Sequence, residues 1–174
     1  MKGWGAYDLD ETFKNNVLVP GFVEAHSHST EGSSWSEPYV AYFDRYDPKG
    51  KCWPGSKTLD EVIARLKVIE AEMTDPDRLL IAWGLDPIYY TGGRLAASHL
   101  DQVSATRPIF VHHANGHVAT VNSATMRMAG ITRDSQVVGV LKGADGEPNG
   151  ELVEFAAMFL VEPALTRVMG GHGR

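Results

Sequence analysis

Residues 17–29 read VLVPGFVEAHSHS. Val17, Leu18 and Val19 open an apolar run, Pro20 and Gly21 interrupt it, and Phe22 and Val23 resume it. This pattern predicts a buried strand with a kink, since a run with few polar positions suits a strand covered on both faces. His26, Ser27 and His28 follow at once. On a strand, residues i and i+2 point the same way, so both imidazoles can reach one ion. Two neutral imidazoles suit zinc and similar divalent cations. Seven histidines in 174 residues yield roughly 0.3 such pairs by chance. The pair therefore takes its weight from its place at the end of the apolar run, where a barrel enzyme sets its ligands. The plain alternative is two polar histidines at a loop entrance. Glu24, two residues earlier, either joins them as a ligand or faces a neighbouring helix.

Outward from this stretch, residues 1–16 are polar and aperiodic, and residues 27–57 are rich in Ser, Gly, Pro and aromatics. The latter predict a long loop or irregular insertion. A helix is expected from 58 to about 74. Thr58 and Glu61 have capping-box spacing, and Leu59, Val62, Ile63, Leu66, Ile69 and Met73 form one apolar stripe that Asp75-Pro76 ends. Strands are expected at 79–83, 108–112, 118–121 and 137–141, with helical turns at 98–103. Asn122 should cap a helix running to Ala129, closed by Gly130. Residues 143–150 read as a turn-rich loop and 151 to about 160 as a buried last helix. Alternating strands and helices indicate an α/β fold.

A second histidine group, His112, His113 and His117, ends the strand at 108–112. His112 and His113 are adjacent and must point to opposite faces, so at most one of them serves a shared site. His117 follows the turn signal Asn115-Gly116. Asp86 follows a strand end. Glu151 and Glu154 fall in the expected last helix, where a carboxylate is costly unless paired or metal-bound. His99 and His172 have no supporting context, and the tryptophans and tyrosines read as core and loop filler. No phosphate-binding glycine loop or nucleophile elbow is present.

Composition narrows the classes. Hydrophobic residues make up 43% and charged residues 22%, a globular balance. The net charge is −6, with no basic patch, which argues against nucleic acid. No apolar run approaches a membrane span and no leader pattern opens the chain. Cys52 is the single cysteine and reads as filler near Trp53; a chain without an internal disulfide fits the cytoplasm. A complete (β/α)8 barrel needs roughly 250 residues and rarely fewer than about 200, so this chain is too short to be one.

Three blocks together resemble a known family. VLVPGFVEAHSHS resembles the first-strand signature of the amidohydrolase superfamily, PGF-[IV]-[DE]-x-H-x-H. WGLDPIYY, with LDQVSATRPIFVHHANGHVATVNSATMRMAGIT at 100–132, resembles the block LD-x-x-S-x-x-x-P … GH-x-x-x-x-N-S-x-x-x-x-x-AGI of the third amidohydrolase family. PNGELVEFAAMFLV at 148–161 resembles that family's P-x-G-x-L-x-E block. This is the group of metal-dependent hydrolases similar to N-substituted formamide deformylase.

The resemblance implies a metal-dependent hydrolase on a (β/α)8 barrel with a small β-sandwich. Residues 1–16 would be a remnant of the sandwich or a linker. Residues 17–174 would be the N-terminal part of the barrel, with an inserted segment at about 30–121. His26 and His28 match the first-strand metal pair, His117 the pocket histidine of the GH block, and Glu154 the glutamate expected to bridge two metals. The cofactor implied is one or two divalent ions, zinc first, with iron or manganese also suited. The substrate implied is a small amide or formamide, cleaved at its carbon–nitrogen bond by metal-activated water. Two further metal histidines and a barrel-end aspartate belong downstream of Glu154, where only His172 follows. The barrel is therefore expected to be partial, incomplete at both ends, and completed by a homo-oligomer or a complementing C-terminal chain. The rival expectations are an inactive fragment that binds a metal or a partner, and an unrelated α/β binding protein with structural histidines.

Overall fold

The computed structural model describes residues 5–6, 8–21, 29–75 and 78–162. Elements follow in the order 3-10 turn Ser29–Ser36, β1 Arg45–Tyr46, β2 Cys52–Trp53, α1 Leu59–Glu72, β3 Leu80–Leu85, 3-10 turn Pro87–Tyr89, α2 Ala97–Leu100, β4 Ile109–His113 and β5 Val118–Val121. They continue with α3 Ser123–Ala129, β6 Val140–Lys142, β7 Pro148–Val153, α4 Glu154–Met158 and a last 3-10 turn Phe159–Val161. β1 and β2 form a small hairpin within the residues read as an insertion. The other strands make one five-stranded sheet ordered β3-β4-β5-β7-β6.

The sheet is mixed. β3 and β4 run parallel, and the other three pairings are antiparallel. The connections explain this. α2 and its flanks carry the chain from β3 to β4, long enough for a parallel crossover, whereas the short turns at 114–117 and 143–147 can only join antiparallel neighbours. The α/β class holds. An all-parallel run of barrel strands is not what these residues form.

Each face of the sheet has its own core. Ile109 and Val111 of β4 join Leu80, Ala82 and Leu85 of β3 and Val62, Ile63 and Leu66 of α1. On the other face Ala119, Val121 and Leu152 pack with Val140, Ile131, Ala157 and Met158. The alternation along β4, β5 and β7 is what sends successive side chains into different cores. α1 forms as its cap and stripe predict. Thr58 Oγ1 accepts from Glu61 N at 3.2 Å, Val62, Ile63 and Leu66 are buried, and Leu59, Ile69 and Met73 pack at the margin. The outer edge of β3 is covered by residues 38–40. Trp83 N donates to Pro38 O and Val40 N to Trp83 O, each at 3.0 Å, which hides an otherwise open edge.

Three readings of the sequence are corrected. Residues 17–21 are not a buried strand: Val17, Leu18 and Val19 are exposed, and no described strand pairs with them to supply the cover such a run needs. The rest of that expected strand, with Glu24, His26 and His28, lies outside the described residues. Residues 148–153 are a strand rather than loop and helix start. Gly150 has φ +92°, and a Cβ there would fall 2.4 Å from Val121 O and 2.8 Å from Ala97 Cβ. Glycine lets β7 approach β5 and α2 closely, and that tertiary pairing overrides local propensity. The last helix therefore begins only at Glu154 and is buried on one side alone, leaving Phe155 and Phe159 exposed.

Candidate functional site

The C-terminal ends of β3, β4 and β7 share one rim of the sheet with the start of β5, because β7 is antiparallel to β5 and so parallel to β4. Asp86 and Glu154 follow the ends of β3 and β7, His113 closes β4, and His117 precedes β5.

His117 and Glu154 meet there. The turn before β5 is set by Asn115, whose Oδ1 accepts from His117 N at 2.9 Å. Glu154 N donates to His117 O at 2.7 Å, which extends the β5–β7 pairing by one step. The side chains close the same ring of contacts, with His117 Nδ1 3.1 Å from Glu154 Oε2. A carboxylate only accepts, so Nδ1 carries the proton and, in the neutral tautomer, Nε2 carries the lone pair. Both side chains stay wet, at 45% and 63% exposure. Glu154 is also the one described non-glycine residue with positive φ, at +65°. For a residue with a Cβ that conformation is costly, about 1–2 kcal/mol, and such strain clusters where a side chain must be aimed.

The other polar residues of the family blocks hold the fold. Asn122 is fully buried. Its Oδ1 accepts from Thr125 N at 3.0 Å and Ile109 N at 3.1 Å, and its Nδ2 donates to Arg107 O at 2.8 Å and Ser104 O at 2.9 Å. It caps α3 as expected. Asp101 accepts from Ser123 N and Oγ at 2.9 and 2.7 Å, and Ser104 Oγ accepts from Arg107 N at 3.0 Å. Glu151, on β7, is buried and takes Arg94 Nε at 2.9 and 3.0 Å together with its Nη2.

The remaining histidines divide as their strand predicts. His113 lies on the α1 face, buried, with Nε2 2.9 Å from Thr120 Oγ1. Burial, reinforced by the Arg94 charge and His112, lowers its pKa to about 4. It is a neutral core residue at ordinary pH. His112 faces the other side beside Phe110. His99 Nδ1 accepts from Ala96 N at 3.1 Å at the start of α2, a structural role. Cys52 is exposed on β2, not filler. Asp86 Oδ1 accepts from Ile88 N at 3.1 Å and starts the 3-10 turn after β3.

Whether a divalent ion suits these residues is answered by the donors. Among the described residues no three His, Cys, Asp or Glu side chains converge. His117 and Glu154 offer an imidazole and an aimed, solvent-accessible carboxylate, which suit such an ion in kind; the ligands expected to complete the set, His26 and His28, lie outside the described residues. His172 does as well.

Sequence reasoning missed a second feature of this rim. A cavity of about 370 Å³ opens at the end of β3, walled by aromatic side chains from the insertion and from β3. Their positions from Trp35 to Tyr89 show no periodicity, so only the folded chain brings them together.

Comparison with known proteins agrees with the family blocks. The profile described as "Amidohydrolase family" matches residues 13–168. Protein LONG AFTER FAR-RED 3 of Arabidopsis thaliana is 26% identical over 169 residues, covering 94% of this chain and 26% of its own length. N-substituted formamide deformylase of Arthrobacter pascens is 29% identical over 150 residues, covering 83% and 25%. An uncharacterized metal-dependent hydrolase from Pyrococcus furiosus superposes with a TM-score of 0.51 at 18% identity, covering 88% of this chain and 25% of that one. The chain spans about a quarter of the length of the curated relatives it matches. With the profile matching most of its residues, and with the histidine and glutamate of two family blocks meeting on one rim, the chain belongs to the amidohydrolase family.

Proposed function

We propose that this chain is part of a metal-dependent hydrolase that cleaves the carbon–nitrogen bond of a small non-peptide amide or formamide in the cytoplasm. In this reading residues 17–174 contribute the first part of a (β/α)8 barrel, with the insertion at about 30–121, and residues 1–16 a sandwich remnant or linker. The observation that carries it is Glu154, strained at positive φ and clasped twice by His117. Glu154 with His26 and His28 is the set that would hold the cation, zinc first, with iron or manganese suited by the same donors. When bound, a divalent cation acidifies a water and polarises the scissile carbonyl. His117 holds one proton at Nδ1, against Glu154, so Nε2 is the atom that takes a proton from the attacking water or returns one to the leaving nitrogen. Glu154 fixes that tautomer.

The test is metal content by elemental mass spectrometry on metal-replete, desalted protein, beside the double variant His26→Ala/His28→Ala and beside Glu154→Gln. One or two equivalents, lost in the double variant and reduced in Glu154→Gln, is the expected result. Equal metal in all three proteins overturns the ligand assignment.

A second reading, a binding module without chemistry, is favoured by the exposed Phe155 and Phe159, stacked with ring centroids 5.8 Å apart beside His117. A second copy of the chain is the partner it implies. Light scattering that gives a monomer at all concentrations excludes that copy.

A further inference from the structure

The geometry points to a binding site for a planar aromatic group of one or two fused rings in the cavity at the end of β3. This goes beyond hydrolysis and stands without it, because neither His117 nor Glu154 belongs to the cavity wall.

Two aromatic clusters face the space. In one, the Trp35 and Trp83 rings lie edge to face at 4.8 Å, and Tyr39 lies 5.2 Å from Trp83. In the other, Tyr89 stacks on Tyr42 at 5.3 Å and meets the edge of Phe43 at 4.9 Å. Arg45 and Asp86 are the two charged groups on the wall. An apolar cavity of about 150 Å³ is enough to hold benzene, so about 370 Å³ accommodates a ring system with a polar substituent, here a hydrogen-bond donor directed at Asp86. Aromatic walls select a planar guest, because the edge of one ring is drawn to the face of another.

The cavity is built rather than left over. Gly84 has φ +98°, and a Cβ there would fall 2.6 Å from the Tyr39 ring. The β3–β4 register shifts at this glycine, so the strand end is bent to seat Tyr39. Phe43 and Tyr89 remain more than two-fifths exposed at the mouth. The cavity sits on the same rim as His117 and Glu154, two to three strands away. At the usual strand spacing that is about 10–14 Å, so the ring arrives either as a free aromatic molecule or as the arm of a longer ligand whose other end reaches the histidine and the carboxylate.

Fluorine NMR of chain labelled with 5-fluorotryptophan reads the site directly, since two of the four tryptophans line it. Titration with 2-naphthol should move the Trp35 and Trp83 resonances saturably and leave Trp53 still. Cyclohexanol should bind at least fivefold more weakly. Phe43→Ala/Tyr89→Ala, which alters only half-exposed rings, should weaken 2-naphthol at least fivefold, and Ala114→Leu, which narrows the mouth, should do the same. No saturation, parallel movement of Trp53, or equal binding of cyclohexanol overturns the proposal. N-(2-naphthylmethyl)acetamide separates the sources. Binding tenfold tighter than 2-naphthol identifies the ring as the arm of an amide ligand, equal binding identifies a free aromatic, and either supports an aromatic site.

Discussion

Glu151 and Glu154 stand three residues apart in one sequence block, yet the structure gives them opposite surroundings. Glu151 is 2% exposed and held by the Arg94 guanidinium. Glu154 is 63% exposed, strained in its backbone, and tied to His117. The strand makes the difference. β7 pairs through Glu151 with Thr120 and turns Glu151 into the α2 face. It ends at Val153, which leaves Glu154 beyond the sheet, at the rim. A buried carboxylate paired with a cation belongs to stability. An exposed carboxylate in a costly conformation adds little to the fold, and in the proposed function it serves the cation. The two regions can be told apart by what their removal does.

The largest effect belongs to the buried network. Asn122→Ala strips five hydrogen bonds from a fully buried position and leaves Thr125 N and the carbonyls of Arg107 and Ser104 without that partner, while Ile109 N keeps Thr125 Oγ1. At about 1–3 kcal/mol for each group left unsatisfied, the loss should reach about 4 kcal/mol, read as a lower urea midpoint. Arg94→Ala comes next, at about 3 kcal/mol, the lower end of the range for breaking a buried pair, because Arg94 is half exposed. His117→Ala removes the matching contact from Glu154 and should cost under about 0.5 kcal/mol, as exposed pairs do. Equal losses for Arg94→Ala and His117→Ala would erase the distinction drawn between the two carboxylates.

His113 sharpens the contrast through pH. Its pKa is depressed in the folded chain to about 4, by burial first, from an unfolded value near 6.5. The unfolded chain therefore binds the proton more readily between those values, and stability present above about pH 6.5 is lost as pH falls toward 4. By pH 5 the loss relative to pH 8 should be about 2 kcal/mol, given about 1.4 kcal/mol per unit of pKa difference. Urea unfolding of the wild type against His113→Leu checks it: the variant's curve should be flatter across this window. A wild-type curve as flat as the variant's would mean that His113 titrates normally and lies in water.

How far these regions were legible follows from where their information resides. α1 was legible because its cap and stripe sit within one local run, Thr58 to Met73, and β5 because its bounds are marked by Gly116 and Asn122. The α3 cap was legible as a local hydrogen bond. The strand at 148–153 was not, because Gly150 matters through Val121 and Ala97, far away in sequence. Glu154 was legible as a carboxylate costly in an apolar segment and as part of a family block. Its strained backbone and its clasp with His117 depend on where β7 stops. The aromatic cavity left no sequence signal, since its walls converge from separate segments without period.

The smallest predicted change has the unusual sign. If Glu154 holds its conformation at a cost, glycine at that position should relieve it, since glycine takes positive φ without the Cβ penalty. Glu154→Gly should therefore stabilise the chain by about 1 kcal/mol, after the greater freedom of glycine in the unfolded chain offsets part of the gain. The same variant should lose the metal that Glu154→Gln also weakens. A stabilising substitution that removes binding is the signature of a residue kept for what it does outside the fold. Glu151→Gly, at a position three residues earlier with no such strain, should instead destabilise, because it strands Arg94 and loosens β7. Should both glycine variants lower the urea midpoint alike, the positive φ of Glu154 would be an ordinary part of the turn into α4, and the rim would lose its strongest mark of function.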